Sequence, residues 1–187
     1  MDQPVRPLRA DAARNRARVL EVAYQAFAEE GLGVSIDEIA RRAGVGAGTV
    51  YRHFPAKEDL YRAVAEDQMG SVIGKGRELL ESASPGEALF GFLRVVMDWS
   101  SADQGLVDAL SGAGIDVQAL IPHIEESFYA VLGDLLQAAQ KAGTVRPDVG
   151  VHEVKALMVG CQAMQSYNRE VSQQVTDVVF DGLRPRR

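Results

Sequence analysis

Apolar residues recur along this chain at helical spacing. Leu20, Ala23 and Phe27, with Val19 and Ala26 beside them, follow the i, i+3, i+4, i+7 pattern of one buried helix face. The pattern stops at Glu30-Gly31, where glycine accepts the left-handed conformation that closes a helix. A first helix is therefore predicted over residues 10–30. Ser35 and Glu38 have the S-x-x-E spacing of a capping box, and Val34 and Ile39 are placed to staple the same end. They predict a short helix over 36–43. Gly44 permits a left-handed turn, and a second short helix follows over 47–54, closed by Pro55, which disfavours helical geometry at the preceding residue.

Beyond it, 57–81 reads as one long helix, weakened by Gly70, Gly74 and Gly76. Ser84-Pro85-Gly86-Glu87 is another start, with a cap, proline at the first helical position and glutamate at the third. The helix it opens carries Leu89, Phe90, Leu93, Val96, Met97 and Trp99. The glycine-rich stretch 103–114 is expected to be loop with one brief helix. Helices are then predicted over 122–142, ending at Gly143, and as a final pair over 151–167 and 169–183. Alternating strand patterns are absent, so the expected fold is all-α.

Length changes the picture little: 187 residues is one domain or two small ones. Apolar residues make up 47% and charged residues 25%, the balance of an ordinary globular protein. No apolar run approaches the roughly 18 residues of a membrane span, and the arginine-rich start lacks the apolar segment of a secretory signal. One cysteine, Cys161, fits a reducing cytosol. The expected setting is cytoplasmic.

Charge is more informative. The net charge of −6 hides an asymmetry, with 10 basic against 9 acidic residues through position 65 and 10 against 17 beyond it. Five arginines lie between Arg6 and Arg18. A basic arm on an acidic body reads either as a local polyanion contact or as a solvated tail.

Spacing then separates the two short helices from an ordinary helical hairpin. Ala40 is small where the helices would cross, Gly44 lies four residues on where the chain must turn, and Val45 and Val50 can bury beneath the second helix. Its other face carries Thr49, Arg52 and His53, with Tyr51 and Lys57 near, groups suited to phosphates and base edges. The stretch SIDEIARRAGVGAGTVYRHFPAKEDLY, with G-V-x-x-x-T-x-Y-x-H-F-x-x-K-x-x-L running from Gly44 to Leu60, resembles the DNA-binding domain of the TetR family of bacterial transcriptional regulators. The ending VVFDGLRP is also similar to many members.

The resemblance implies a three-helix helix-turn-helix domain over 10–60, with its motif at 35–54, and a larger helical ligand-binding and dimerisation domain over 61–187. It implies a non-enzymatic repressor that binds a palindromic operator in double-stranded DNA as a homodimer and is released by a small, largely apolar effector. Carried over, Thr49, Tyr51 and His53 match positions that meet DNA, and Lys57 matches the lysine on the phosphate backbone. Ala47 and Gly48 match positions that often face bases but offer no side-chain hydrogen bonds, leaving a thymine methyl contact from Ala47 or readout by Arg52 or an N-terminal arginine. The alternative for Tyr51 and His53 is packing against the first helix. In the second domain Phe90, Met97, Trp99, Phe128, Met158 and Met164 are candidate pocket residues, or ordinary core. Val154, Met158, Cys161, Val175, Val178 and Val179 fall near the stripes expected to form the dimer interface, with small Gly160 and Ala163 allowing close approach.

Other chemistry finds little support. His123 and Glu126 make half a metal site at most, and Cys161 sits among apolar residues as a core thiol would. No nucleophile motif, phosphate loop or dinucleotide fingerprint occurs, and Gly44-Val45-Gly46-Ala47-Gly48 follows a helix rather than a strand. No cofactor or metal is expected. The competing reading is an all-α small-molecule or protein binding module that no longer uses DNA.

Overall fold

The computed structural model describes residues 6–102 and 122–185. Eight helices account for most of them: α1 Arg6–Glu30, α2 Ile36–Ala43, α3 Ala47–His53, α4 Lys57–Ser82, α5 Pro85–Ala102, α6 Pro122–Lys141, α7 Val151–Tyr167 and α8 Arg169–Gly182. No strand occurs among the described residues. The loop expected over 103–114 lies outside them. α1 begins at Arg6 rather than near residue 10, because Leu, Ala and Arg are strong helix formers and Pro7 falls in the first turn, where proline is tolerated.

The described chain divides into two compact units, the first running through Gln68 and the second taking the rest. In the first, local chemistry sets each boundary. Gly31 has φ +76° and its N–H reaches the Phe27 carbonyl at 3.1 Å, ending α1. Ser35 is extended and its hydroxyl accepts the Glu38 N–H at 3.1 Å, starting α2. The return half of the expected capping box does not form. The Glu38 carboxylate goes instead to Arg41 and Arg42, since two guanidinium partners hold a carboxylate more strongly than one backbone N–H.

Gly44, at φ +66°, then stops α2. Its N–H bonds the Arg41 carbonyl at 3.2 Å, while the Val45 N–H reaches back to Ala40 at 3.0 Å. This double closure turns the chain toward α3 within two residues. Leu20, Phe27, Ile39, Ala40, Val50, Leu60 and Val64 bury together beneath the turn. The Phe27 ring meets Tyr61 edge-on, 4.9 Å between centroids.

The second unit packs α5, α6 and α7 around Phe92, Leu93, Leu132, Leu135, Val154 and Met158, all fully buried. Gly76 brings α4 against this core, where an added Cβ would lie 2.6 Å from Val131 Cγ1 and 2.8 Å from the Phe92 ring. The end of α6 is tied down by Gln140, whose amide donates to the Arg146 and Val149 carbonyls at 3.1 and 2.8 Å. The Arg146 N–H in turn donates to the Leu183 carbonyl at 2.9 Å and anchors the end of α8.

Candidate nucleic-acid interface

α3 is seven residues long, and only Val50 of it is buried. Everything else on the helix is available to solvent to some degree. Thr49 and Ala47 are half-buried, while Gly48, Arg52 and His53 are exposed and Tyr51 keeps 44% of its surface. The outward face thus presents a hydroxyl, a phenol, a guanidinium and an imidazole from consecutive turns of one helix. Bare backbone lies beside them at Gly48, where an added Cβ would meet nothing within 4 Å. Packing within the protein does not require glycine there, although glycine inside a helix costs roughly 0.5–1 kcal/mol relative to alanine.

Packing against α1 holds part of this face. His53 and Thr49 border a shallow crevice with Asn15 and Arg16 of α1, too narrow for a ligand. The Arg16 guanidinium lies 5.8 Å over the Phe54 ring, just past α3. Arg16 belongs to the basic segment whose role the sequence left open. No motif spacing marks it, because its neighbour lies 38 positions away.

Lys57 is not a free surface cation. Its ammonium donates to the Leu32 carbonyl and sits 5.9 Å from the Tyr61 ring centre. The Tyr61 hydroxyl donates to the same carbonyl at 3.0 Å. Both side chains therefore fasten the start of α4 to the turn after α1. An ammonium has three donors, so two remain.

Two other cations, on α2, are committed. Arg41 grips Glu38 through two bonds of 2.8 and 2.7 Å, and Arg42 bonds Glu38 at 2.7 Å and also Glu30 of α1. These guanidinium hydrogen bonds, from Arg41 first and Arg42 second, hold the Glu38 carboxyl from the usual 4.5 down to about 2. Among the described residues no such ion pair engages Arg52, which stays available on the outer face of α3.

In the second unit the predicted pocket residues pack as follows. Phe90 packs on Phe180 with centroids 5.8 Å apart, and Phe128 lies between Phe92 and Tyr129. Met158 is buried, whereas Trp99 and Met164 are half-buried. Of the six, Met97 lines a cavity of about 370 Å³ bounded by α5, α7 and α8.

The predicted dimer residues also divide. Val154, Met158 and Cys161 lie in the core of the chain itself, with burial pushing the Cys161 thiol pKa up. Val175 and Val179 are half-buried, and Val178 is 67% exposed. Leu157, Val159, Tyr167 and Val171 of the same two helices are exposed as well. Among the described residues no three His, Cys, Asp or Glu side chains group as a metal site, and no helix is long and apolar enough to cross a membrane.

Comparison with known proteins bears on both units. Residues 19–64 match the family model for bacterial regulatory proteins of the tetR family, and residues 84–185 match the C-terminal domain of SbtR-like transcriptional regulators. The crystal structure of a TetR transcription regulatory protein from Mycobacterium vanbaalenii is 57% identical, covers 96% of this chain and all of that one, and superposes with a TM-score of 0.82. The TetR transcriptional regulator SCO0520 from Streptomyces coelicolor is 33% identical, over 92% of this chain and 99% of its own, with a TM-score of 0.76. The regulator FadR from Bacillus subtilis, solved in complex with stearoyl-CoA, shares the fold at 21% identity and a TM-score of 0.68, over 89% of this chain and 98% of its own. The HTH-type transcriptional regulator SAB2452 of Staphylococcus aureus is 38% identical over 73 residues, 38% of this chain. The match spans only 40% of that curated relative's length.

The Glu38 network yields a pH prediction. Because its folded pKa lies below the ordinary value, its stabilising contribution is complete above about pH 4.5 and is lost as pH falls toward 2. Urea midpoints of the wild type and Glu38→Gln should differ at pH 7, hold that difference to about pH 5, and converge near pH 2. The difference will be small, since the carboxylate faces solvent. Identical midpoints throughout would remove the network from the stability of this unit.

Proposed function

Because the chain belongs to the TetR family of bacterial transcriptional regulators, we propose that it is a cytoplasmic repressor that binds a palindromic operator as a homodimer and is released by a small-molecule effector. The observation that carries this reading is the outward face of α3, where Thr49, Tyr51, Arg52 and His53 project from a helix fixed by the single buried side chain of Val50. In the major groove, Thr49, Arg52 and His53 supply hydrogen bonds to base edges, and Ala47 reaches a thymine methyl. Gly48 removes the side chain that would hold the helix away from the duplex. Tyr51 and the two remaining donors of Lys57 bind phosphates and set the register. A binding module that no longer used DNA would leave this polar face without a role.

A palindromic site needs two copies of that face. Leu157, Val159, Val171 and Val178 are exposed on α7 and α8, with Tyr167 at 92%, and a second copy of these helices would take such apolar surface out of water. Pairing it across a two-fold axis places the recognition helices about 34–36 Å apart, one turn of duplex. Effector release follows if a ligand favours a dimer with the wrong spacing. α4 has residues in both units and is the natural lever. Coupling of about 1–3 kcal/mol changes operator affinity roughly 5- to 150-fold. The stearoyl-CoA complex of FadR illustrates ligand binding on this fold.

Selection of bound duplexes from a random pool tests the reading as a whole. Enrichment of an inverted repeat is expected, and failure to enrich any sequence would overturn it. Within that site, Lys57→Ala should weaken specific and non-specific DNA alike and flatten the salt dependence by about 0.9 in slope. Tyr61→Phe, which loosens the same Leu32 anchor without removing charge, should leave the slope intact. Gly48→Ala should raise fold stability by about 0.5–1 kcal/mol while reducing operator affinity, a pairing of effects that a purely structural glycine would not give. Val178→Asp should yield monomers in sedimentation and abolish tight operator binding. A dimer that survives it intact would place the interface elsewhere.

A further inference from the structure

The cavity bounded by α5, α7 and α8 is walled mainly by polar side chains. Three features define what it accepts. Thr176 is 8% exposed, and its hydroxyl, on the cavity wall, has no nitrogen or oxygen partner. Its polar neighbour is the Cys161 thiol, a weak hydrogen-bonding group. A buried hydroxyl so weakly paired is unfavourable, and a ligand bearing a strong donor or acceptor improves on the thiol. On one side of the cavity stands the Arg94 guanidinium, 5.9 Å over the Phe180 ring. Stacking uses the face of the guanidinium and leaves its in-plane N–H groups for a carboxylate. On α8, one residue beyond Thr176, stands Asp177, whose carboxylate suits an amine.

One cation, Arg94, and two carboxylates, Asp98 and Asp177, surround a buried hydroxyl in a space of about 370 Å³, within the range of small-molecule sites, so the wall carries one more negative than positive charge and favours a ligand with an amine. We infer that this cavity binds a small zwitterion, its carboxylate on Arg94, its amine on Asp177, and a hydrogen bond to Thr176. Gln165 and Gln173 complete the polar wall, and Met97 and Phe180 cover the ligand's aliphatic portion. Such a ligand is polar, amine-bearing and of amino-acid size. The site gains regulatory meaning from the effector reading above, on which its role in release rests. α8 carries Thr176 and Asp177 on the cavity side and Val171 and Val178 on the exposed apolar side. A ligand that wedges against α8 therefore acts on the helix proposed to set dimer spacing.

The test uses the full-length protein and five probes at about 10 mM: γ-aminobutyrate and L-lysine as zwitterions, cadaverine with amines alone, adipate with carboxylates alone, and decanoate as an apolar comparator. At least one zwitterion should raise Tm by several degrees, with each single-charge probe and decanoate well below it. Arg94→Gln and Asp177→Asn should each reduce that shift at least threefold. Thr176→Val should raise the Tm of the free protein and also shrink the zwitterion shift, whereas a merely strained threonine would do only the first. No shift with either zwitterion, a shift with decanoate alone, or a zwitterion shift unchanged in all three variants would overturn the site. Operator binding measured at saturating zwitterion addresses the other reading. Undiminished binding there counts against effector release and leaves the site standing.

Discussion

Everything proposed for α3 depends on the burial of Val50. A seven-residue helix is too short to be stable alone in water, where isolated helices below about 12–15 residues are marginal. It offers the interior one side chain. Its placement comes from the surroundings: Val50 inserts among Ala40, Ala43 and Phe54, the Gly44 turn joins α3 to α2 in three residues, and α1 supports it from beneath. The outward groups gain their direction mainly from that anchorage, with Ala47 adding a partly buried contact to the same core. A small residue at Ala40 is part of the same constraint, since a larger one would lift α3 away from the core.

Electrostatics sharpens the face rather than attracting DNA to the whole molecule. The chain carries −6 overall, so a phosphate backbone is repelled at distance and attracted only where cations stand clear. Screening limits such fields to about 8–10 Å. Arg41 and Arg42 contribute little within that range, because Glu38 and Glu30 neutralise them. Arg52 and Lys57, with Arg16 beside Phe54, remain around α3. The ion-pair network therefore does two things at once. It braces α2 against α1, and it removes positive charge from a place where it would bind DNA without register.

Much of the first unit was legible because its signals are local. Gly31 and Gly44 take the positive φ that their positions at helix ends suggested, as Gly143 does in the second unit, and Ser35 caps the helix it precedes. What was not legible depended on competition or on distant partners. The spacing that predicts a capping box also places Glu38 within reach of Arg41 and Arg42, and only coordinates show which partner prevails. The attachment of Lys57 to Leu32 spans 25 positions and has no spacing signature. α7 carries two apolar faces, and periodicity finds stripes without saying which faces inward. Val154, Met158 and Cys161 turn to the core, and Leu157 and Val159 do not. The polar cavity joins residues 94–98 to 165–180, too far apart for a motif.

The sparse chemistry of α3 also explains why one copy would not suffice. Each good base contact discriminates by about 1–3 kcal/mol. With Ala47 and Gly48 unable to hydrogen-bond through side chains, the contacts proposed for Thr49, Arg52 and His53 give one half-site about 3–9 kcal/mol. Separating a true site from competing duplex takes about 4–10 kcal/mol. One half-site reaches the upper part of that range only with every contact near its best, whereas two bound as a unit give about 6–18 kcal/mol. Pairing thus does more than add phosphate contacts, because it doubles the only term that carries sequence. On the proposed reading, a helix this poor in readout groups makes the geometry of the dimer the determinant of specificity, and a small change in that geometry loses the operator while leaving non-specific attraction in place.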